Sequence, residues 1–321
     1  MSKKKQTTFR YAWLLRQWDK ILFLGMLGAF IVLSPGKAGI AKFADVPLPL
    51  KSIPFPVPTP APLPVNTTGL YPGGEVTAES VVVYDVDSGT LMYGRNAQEV
   101  LAPASTTKIM TALVALEHYK LDDVVTVPNL TTDGQLMGLF PGEKMTVQNL
   151  LYGALVYSAN DAAWTLASYY PGGEPAFVAA MNEKAQELRL THSHFTNPVG
   201  YDNPEHKMTA EDLAHLAAYA LTNETIAEIV AIPQITISDV TYTHFYPLTN
   251  VNQLLGVVPG VAGMKTGWTE EAGQNLVTLI DRNGHRVITV VLKSQDRFAD
   301  TKSLIQWIFS NYTWKSFSPA G

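Results

Sequence analysis

Ser105 and Lys108 stand three positions apart in the stretch Pro103-Ala-Ser-Thr-Thr-Lys-Ile-Met. That spacing puts a hydroxyl and an amine side by side on one face of a helix. The residues that follow (Ile109, Met110, Ala112, Leu113, Val114, Ala115, Leu116) are apolar nearly all round, which predicts a buried helix and a buried Lys108 with it. Desolvation penalises the ammonium form and lowers the pKa of a lysine. A lysine made partly neutral this way takes the proton of the serine and creates a nucleophile, and the helix N-terminus favours the negative charge that develops there. Taken alone, the pair more often means a capping serine followed by a surface lysine.

Two further groups change that balance. Ser158-Ala-Asn160 sits between two apolar helical stretches, where polar residues have no packing reason to be; alone, it reads as a helix break with asparagine capping the next helix. Lys265-Thr-Gly267 falls on a predicted strand with Gly263 just upstream, where the missing side chain would let a ligand backbone approach closely. A lysine and a threonine hydroxyl beside such an approach suit a terminal carboxylate, although a lone lysine on an edge strand fits this tripeptide equally well. Ser-x-x-Lys, Ser-x-Asn and Lys-Thr-Gly occur in that order, in a helix, a helix break and a strand.

The elements that must position these groups are a sheet and a set of helices. Ser80 to Asp85 and Thr90 to Tyr93 flank the turn Asp87-Ser-Gly, and the runs from Gln274 to Ile280 and Arg286 to Leu292 surround Asp281-Arg-Asn-Gly. Both read as hairpins, and Gly263 to Trp268 adds a strand beside the second. Helices are expected over Ser105 to His118, Thr146 to Tyr157, Asp161 to Tyr169, Glu174 to Leu188, Thr209 to Leu221 and Thr301 to Tyr312. Sheet pieces from both ends of the chain with helices between them predict an α+β class: one antiparallel sheet with flanking helices and an all-helical subdomain.

The chain of 321 residues is 46% hydrophobic and 16% charged with a net charge of -5, which offers no broad basic surface for nucleic acid. Without cysteine there is no disulfide, thiolate metal site or thiol nucleophile. Lys3, Lys4, Lys5, Arg10, Arg16 and Lys20 precede an uncharged apolar run from Ile21 to Leu33, the layout of an export signal. As a helix that run would reach only about 20 Å, short of the ~30 Å hydrocarbon core. Cleavage near Gly39 and Ala41 and retention as a membrane anchor both remain open, and either places the later residues outside the cytoplasm. From Val46 to Val65 proline alternates with apolar residues, as expected of an extended stalk. The expected organisation is a leader and signal or anchor at 1–40, a proline-rich linker at 41–74 and a catalytic domain at 75–317.

The ordered trio marks penicillin-binding proteins and class A β-lactamases. From about residue 76 to about 315 the chain resembles the D-alanyl-D-alanine carboxypeptidases, low-molecular-weight penicillin-binding proteins of peptidase family S11. The stretches Gly138-Leu-Phe-Pro-Gly-Glu-Lys-Met-Thr-Val-Gln-Asn-Leu-Leu, Ser158-Ala-Asn-Asp-Ala-Ala, Met208-Thr-Ala-Glu-Asp-Leu and Lys265-Thr-Gly-Trp-Thr-Glu-Glu-Ala-Gly carry that resemblance.

The resemblance implies a β-lactamase/transpeptidase-like fold and removal of the terminal D-alanine from peptidoglycan stem peptides in the cell envelope. It implies Ser105 as nucleophile, Lys108 as its general base, Ser158 as proton relay to the leaving D-alanine, and Asn160 orienting Lys108 and the substrate amide. Lys265 and Thr266 would bind the terminal carboxylate, Gly267 would keep the strand open, and the amides of Ser105 and Trp268 would form an oxyanion hole. β-Lactams would acylate the same serine, and no cofactor or metal is implied. The sequence departs from many family members in lacking the β-rich domain and amphipathic helix that often follow Lys-Thr-Gly, and in the bulk of Trp268 at the cleft.

Rival readings share parts of this pattern. A class A β-lactamase needs a Glu-x-x-Leu-Asn segment, absent between Ser158 and Lys265. A D,D-endopeptidase on cross-links uses the same residues, and a catalytically silent wall-binding or sensory module would keep only the fold. His192, His194 and His206 fit no zinc spacing and are expected to be solvated turn residues.

Overall fold

The structure, a computed structural model, describes Leu22 and residues 24–26, 60–129 and 132–316. The chain divides into two units, Met1–Pro58 and Thr59–Gly321. In the first, Leu22 and residues 24–26 are helical; the rest of the expected leader and most of the proline-rich linker lie outside the described residues. Among the described residues no helix is long and apolar enough to cross a membrane.

In chain order the second unit runs through strands β1 (Leu63–Asn66), β2 (Ser80–Asp85) and β3 (Thr90–Arg95). A 3-10 turn (Ala104–Thr107) leads into helix α1 (Lys108–His118), followed by β4 (Val124–Thr126), β5 (Lys144–Thr146), α2 (Val147–Leu155) and α3 (Asn160–Tyr169). Next come α4 (Gly173–Glu187), α5 (Ala210–Ala220), α6 (Glu224–Val230), β6 (Gln234–Ser238) and β7 (Phe245–Thr249). The unit ends with β8 (Val261–Thr269), β9 (Gly273–Arg282), β10 (His285–Ser294), α7 (Arg297–Asn311) and β11 (Tyr312–Lys315).

The central sheet has five strands in the order β3-β2-β10-β9-β8, every pairing antiparallel. Alternation along the strands splits its side chains between two cores. Val81, Val83, Leu276, Ile280, Val287 and Val291 face one way and pack with Leu304, Ile305 and Ile308 of α7. Val82, Val277, Ile288, Val290 and Leu292 face the helical side, with Ile109 and Leu113 of α1 and Leu213 and Leu216 of α5. Each such buried aliphatic side chain contributes roughly 1.5–3 kcal/mol. Because both faces are covered, the strands read as nearly continuous apolar runs.

Side-chain caps fix where the helices start. Thr146 accepts from the Asn149 amide at α2, Thr209 from Asp212 at α5, and Asp296 from Phe298 and Ala299 at α7. The Asp296 cap starts the last helix at Arg297 rather than at Thr301, and the chain then turns extended as β11.

The start of the folded unit also differs from the boundary at 75. Leu63–Asn66, assigned to the stalk by its prolines, pairs with β11 in the register Leu63↔Lys315 to Asn66↔Tyr312. A two-stranded ladder has only edges, and there Pro64 needs no second partner for its missing N–H. Trp307 Nε1 further donates to the Leu70 carbonyl at 3.1 Å, tying this segment to α7.

Candidate active site

Ser105 belongs to the 3-10 turn and not to the α-helix itself, which starts at Lys108. Ala104 just before it has φ 49°, a left-handed conformation that costs a non-glycine residue about 1–3 kcal/mol. Two glycines make room for this turn. A Cβ on Gly200, at φ 89°, would stand 1.8 Å from the Ala104 carbonyl oxygen. A Cβ on Gly267 would stand 2.9 Å from the Pro103 carbonyl and 3.2 Å from the Ser105 amide. Gly267 therefore lets β8 press against the turn and brings its backbone beside the Ser105 N–H.

Lys108 is fully buried, and its Nζ lies 2.8 Å from Ser105 Oγ, 2.7 Å from Asn160 Oδ1 and 3.0 Å from the Val199 carbonyl. Burial, then the charge of Lys265, hold its pKa well below the usual lysine range, with Asp161 opposing them. A neutral amine has two N–H groups and one lone pair. Asn160 Oδ1 and the Val199 oxygen only accept, so they take the two N–H groups and leave the lone pair facing the Ser105 hydroxyl. This arrangement can remove the proton of Ser105.

Ser158 stands at φ 65° between α2 and α3, and the strained break lets its hydroxyl leave the helical course. Asn160 opens α3; its Nδ2 donates to the Asp133 carbonyl at 2.7 Å while its Oδ1 serves Lys108. Asp161, next in sequence, accepts the amides of Met137, Gly138 and Leu139 at 3.1, 2.8 and 3.0 Å, so the start of α3 holds the loop that walls the cleft.

Lys265, 2% exposed on β8, donates to Ser158 Oγ at 2.8 Å and to the Thr266 carbonyl at 3.0 Å. The described residues supply no third acceptor. Burial first and the Arg297 charge second lower its pKa to about 7. Arg297 Nη1 donates to the Gly267 carbonyl at 2.6 Å, and its Nε is buried without a partner among the described residues. Ser105, Ser158, Asn160, Thr266, Gly267, Trp268 and Arg297 all line one cleft of about 600 Å³. Trp268 is 61% exposed at its rim.

All eight residues singled out in the sequence thus meet in one place, through Lys108 to Ser105 and Asn160 and through Lys265 to Ser158. Arg297 is an addition; its only sequence signal is its place right after the capping Asp296. Gly263 has a different use from the one expected: at φ 109° its missing Cβ makes room for the Val230 carbonyl at the end of α6, not for a ligand. His206 is not a solvated turn residue but 2% exposed. Among the described residues the one group of three candidate metal ligands is Glu143, Asp239 and His244, which includes none of the three histidines named above. Its carboxylates are occupied by Tyr246 Oη and the Phe140 amide, and by the amides of Thr243 and His244.

The chain matches known proteins over the same region. A family profile described as D-alanyl-D-alanine carboxypeptidase, peptidase family S11, covers residues 66–296. The D-alanyl-D-alanine carboxypeptidase DacF of Bacillus subtilis is 36% identical over 245 residues, 73% of this chain and 63% of the relative. The chain therefore spans less than two thirds of that relative's length. DacB2 of Mycobacterium tuberculosis, also named a D-alanyl-D-alanine carboxypeptidase, is 35% identical over 71% of this chain and 79% of its own length. A crystal structure of a Mycobacterium tuberculosis D-alanyl-D-alanine carboxypeptidase superposes with a TM-score of 0.72 at 32% identity, over 79% of this chain and 100% of that one. The sheet with its helical subdomain is the penicillin-binding, transpeptidase-like fold.

Proposed function

Because this chain belongs to the D-alanyl-D-alanine carboxypeptidase family S11, we propose that it is a serine-type carboxypeptidase removing the terminal D-alanine from peptidoglycan stem peptides. The observation that carries the reading is the buried Lys108 amine at 2.8 Å from Ser105 Oγ, with its two other contacts both acceptors.

Neutral Lys108 takes the Ser105 proton as Oγ bonds to the carbonyl carbon before the last residue. The Ser105 and Trp268 amides receive the oxyanion, where each preorganised donor is worth about 3–4 kcal/mol. As the C–N bond breaks, the proton that Lys108 took passes by way of Ser158 to the departing amine, which returns Lys108 to its neutral form. Water then attacks the ester, Lys108 again moves the proton, and the shortened peptide leaves. Lys265, Thr266 and the nearby Arg297 supply the charge and hydroxyl that hold the terminal carboxylate. A β-lactam would enter the same first step and stall at the ester. The apolar run behind a basic leader supports export to the cell envelope, with a membrane anchor as the finer expectation.

The test incubates the domain from residue 60 onward with a fluorescent penicillin, beside its Ser105→Ala variant, and follows D-alanine release from a peptide ending in D-Ala-D-Ala. Labelling and release that both vanish in the variant are expected. Labelling without release would redirect the assignment to an endopeptidase or a sensor, and labelling that survives Ser105→Ala would overturn the mechanism.

A further inference from the structure

The nucleophile's turn is held from behind by a buried histidine that the chemistry above does not use. His206 Nε2 lies 2.8 Å from Thr107 Oγ1, inside the Ser-Thr-Thr-Lys turn, and Thr107 is itself fully buried. The other ring nitrogen, Nδ1, faces the Thr196 backbone N–H at 3.1 Å and the Asn197 Nδ2 at 3.2 Å. Both of those groups can donate, and an amide N–H cannot do otherwise, so Nδ1 must be the acceptor. Nε2 then carries the proton and donates to Thr107. The geometry alone fixes a neutral ring of one tautomer.

What His206 holds together is the pair of reacting side chains. On one side is the turn carrying Ser105. On the other is Asn197, whose Oδ1 accepts the amides of Val199, Gly200 and Tyr201 at 3.2, 2.7 and 3.0 Å. The Val199 carbonyl is one of the two acceptors that orient the Lys108 amine, and Gly200 is the residue packed against the Ala104 carbonyl. Thr111 adds a parallel tie to the same segment, its Oγ1 donating to the Pro198 carbonyl at 2.6 Å.

We propose that His206 is a positioning residue for acylation: as a neutral imidazole it locks the Ser105 turn to the 196–201 segment, which sets the direction of the Lys108 lone pair. The inference rests on the acyl-enzyme reading above. Burial first, and His194 second, hold the pKa of His206 down to about 4, so the ring keeps this state across the range in which a lysine base works. Neither ring nitrogen is free for a metal.

A double-mutant cycle tests it. His206→Ala, Thr107→Val, the double variant and His206→Gln are compared with the unmodified protein for the saturating rate of penicillin acylation and for the dissociation constant of the complex that precedes it. Each is measured well below its own Tm and corrected for the folded fraction. Because misplacement of about 1 Å costs on the order of a hundredfold, His206→Ala and Thr107→Val should each slow the saturating rate at least about tenfold and leave the preceding constant within about twofold. The double variant should be no slower than the worse single one, since both remove the same bond. His206→Gln, whose amide N–H reaches toward Thr107, should recover most of the rate. Normal acylation in the single variants despite a lowered Tm, or losses that multiply in the double variant, would show that His206 serves stability alone and overturn the proposal. No labelling of the unmodified protein would instead overturn the acyl-enzyme reading, and this inference with it.

Discussion

The two walls of the cleft each carry a buried lysine, and their surroundings differ. Lys108, on the helical wall, has three oxygen neighbours, and Asp161 works to keep its proton against burial and the Lys265 charge. Lys265, on the sheet wall, has among the described residues only Ser158 Oγ and a carbonyl, with Arg297 as the charge beside it. Desolvation pushes both the same way. The difference lies in what each nitrogen has left over: for Lys108 a lone pair facing a hydroxyl hydrogen, for Lys265 an N–H with no acceptor among the described residues, beside the cleft-lining Ser158 and Thr266. One environment suits a base and the other waits for an anion, and the proposed division of labour follows from that.

The largest effect should come from breaking the helical wall. Lys108→Met keeps the length and removes the lone pair, and losing a general base costs about 10²- to 10⁴-fold. Acylation of the variant by a penicillin, followed by stopped-flow fluorescence and paired with circular dichroism to verify folding, should fall by about 10³-fold. A loss smaller than tenfold in a folded variant would hand the base role to another group and erase the contrast between the lysines.

Breaking the sheet wall should cost less and show selectivity. A hydrogen bond to a charged group contributes about 1.5–3 kcal/mol, so Lys265→Met should lower kcat/KM for a peptide ending in a free carboxylate by about ten- to a hundredfold. The same peptide ending in an amide should lose far less. If acid and amide substrates suffer alike, Lys265 does not read the carboxylate, and its contact with Ser158 becomes its main task.

Much of this site was legible because its residues obey local rules. The turn Asp87-Ser-Gly and the run Asp281-Arg-Asn-Gly announce their hairpins, and Ser105, Ser158 and Lys265 stand at a helix start, at a helix break and within a strand. What stayed hidden depends on distant partners. Leu63–Asn66 looks like stalk because its prolines dominate locally, and only Tyr312–Lys315, at the far end of the chain, makes it a strand. Arg297 and His206 are lone polar residues near turns, a pattern most often solvated; their burial is set by Gly267 on one side and by Thr107 and Thr196 on the other. Gly263 could be read as a close approach but not as whose, since Val230 precedes it by a whole hairpin.

The finest test of the contrast moves one lysine's titration without touching either lysine. Lys265 titrates at about 7 in the free protein, through burial first and the Arg297 charge second. Carboxylate binding needs the ammonium form, so kcat/KM, which reports the free enzyme, should decline as pH rises through about 7. In Arg297→Met the neighbouring positive charge is gone, the ammonium is no longer repelled, and the pKa of Lys265 rises. The alkaline limb of kcat/KM should therefore move to higher pH, even as the absolute value falls with the loss of a cation from the cleft. The limb on the acid side, set by Lys108, should move less, because Arg297 is not among the groups that shift it. An alkaline limb that stays in place, or moves down, would mean that a group other than Lys265 sets it, and the two lysines would then differ in geometry but not in charge.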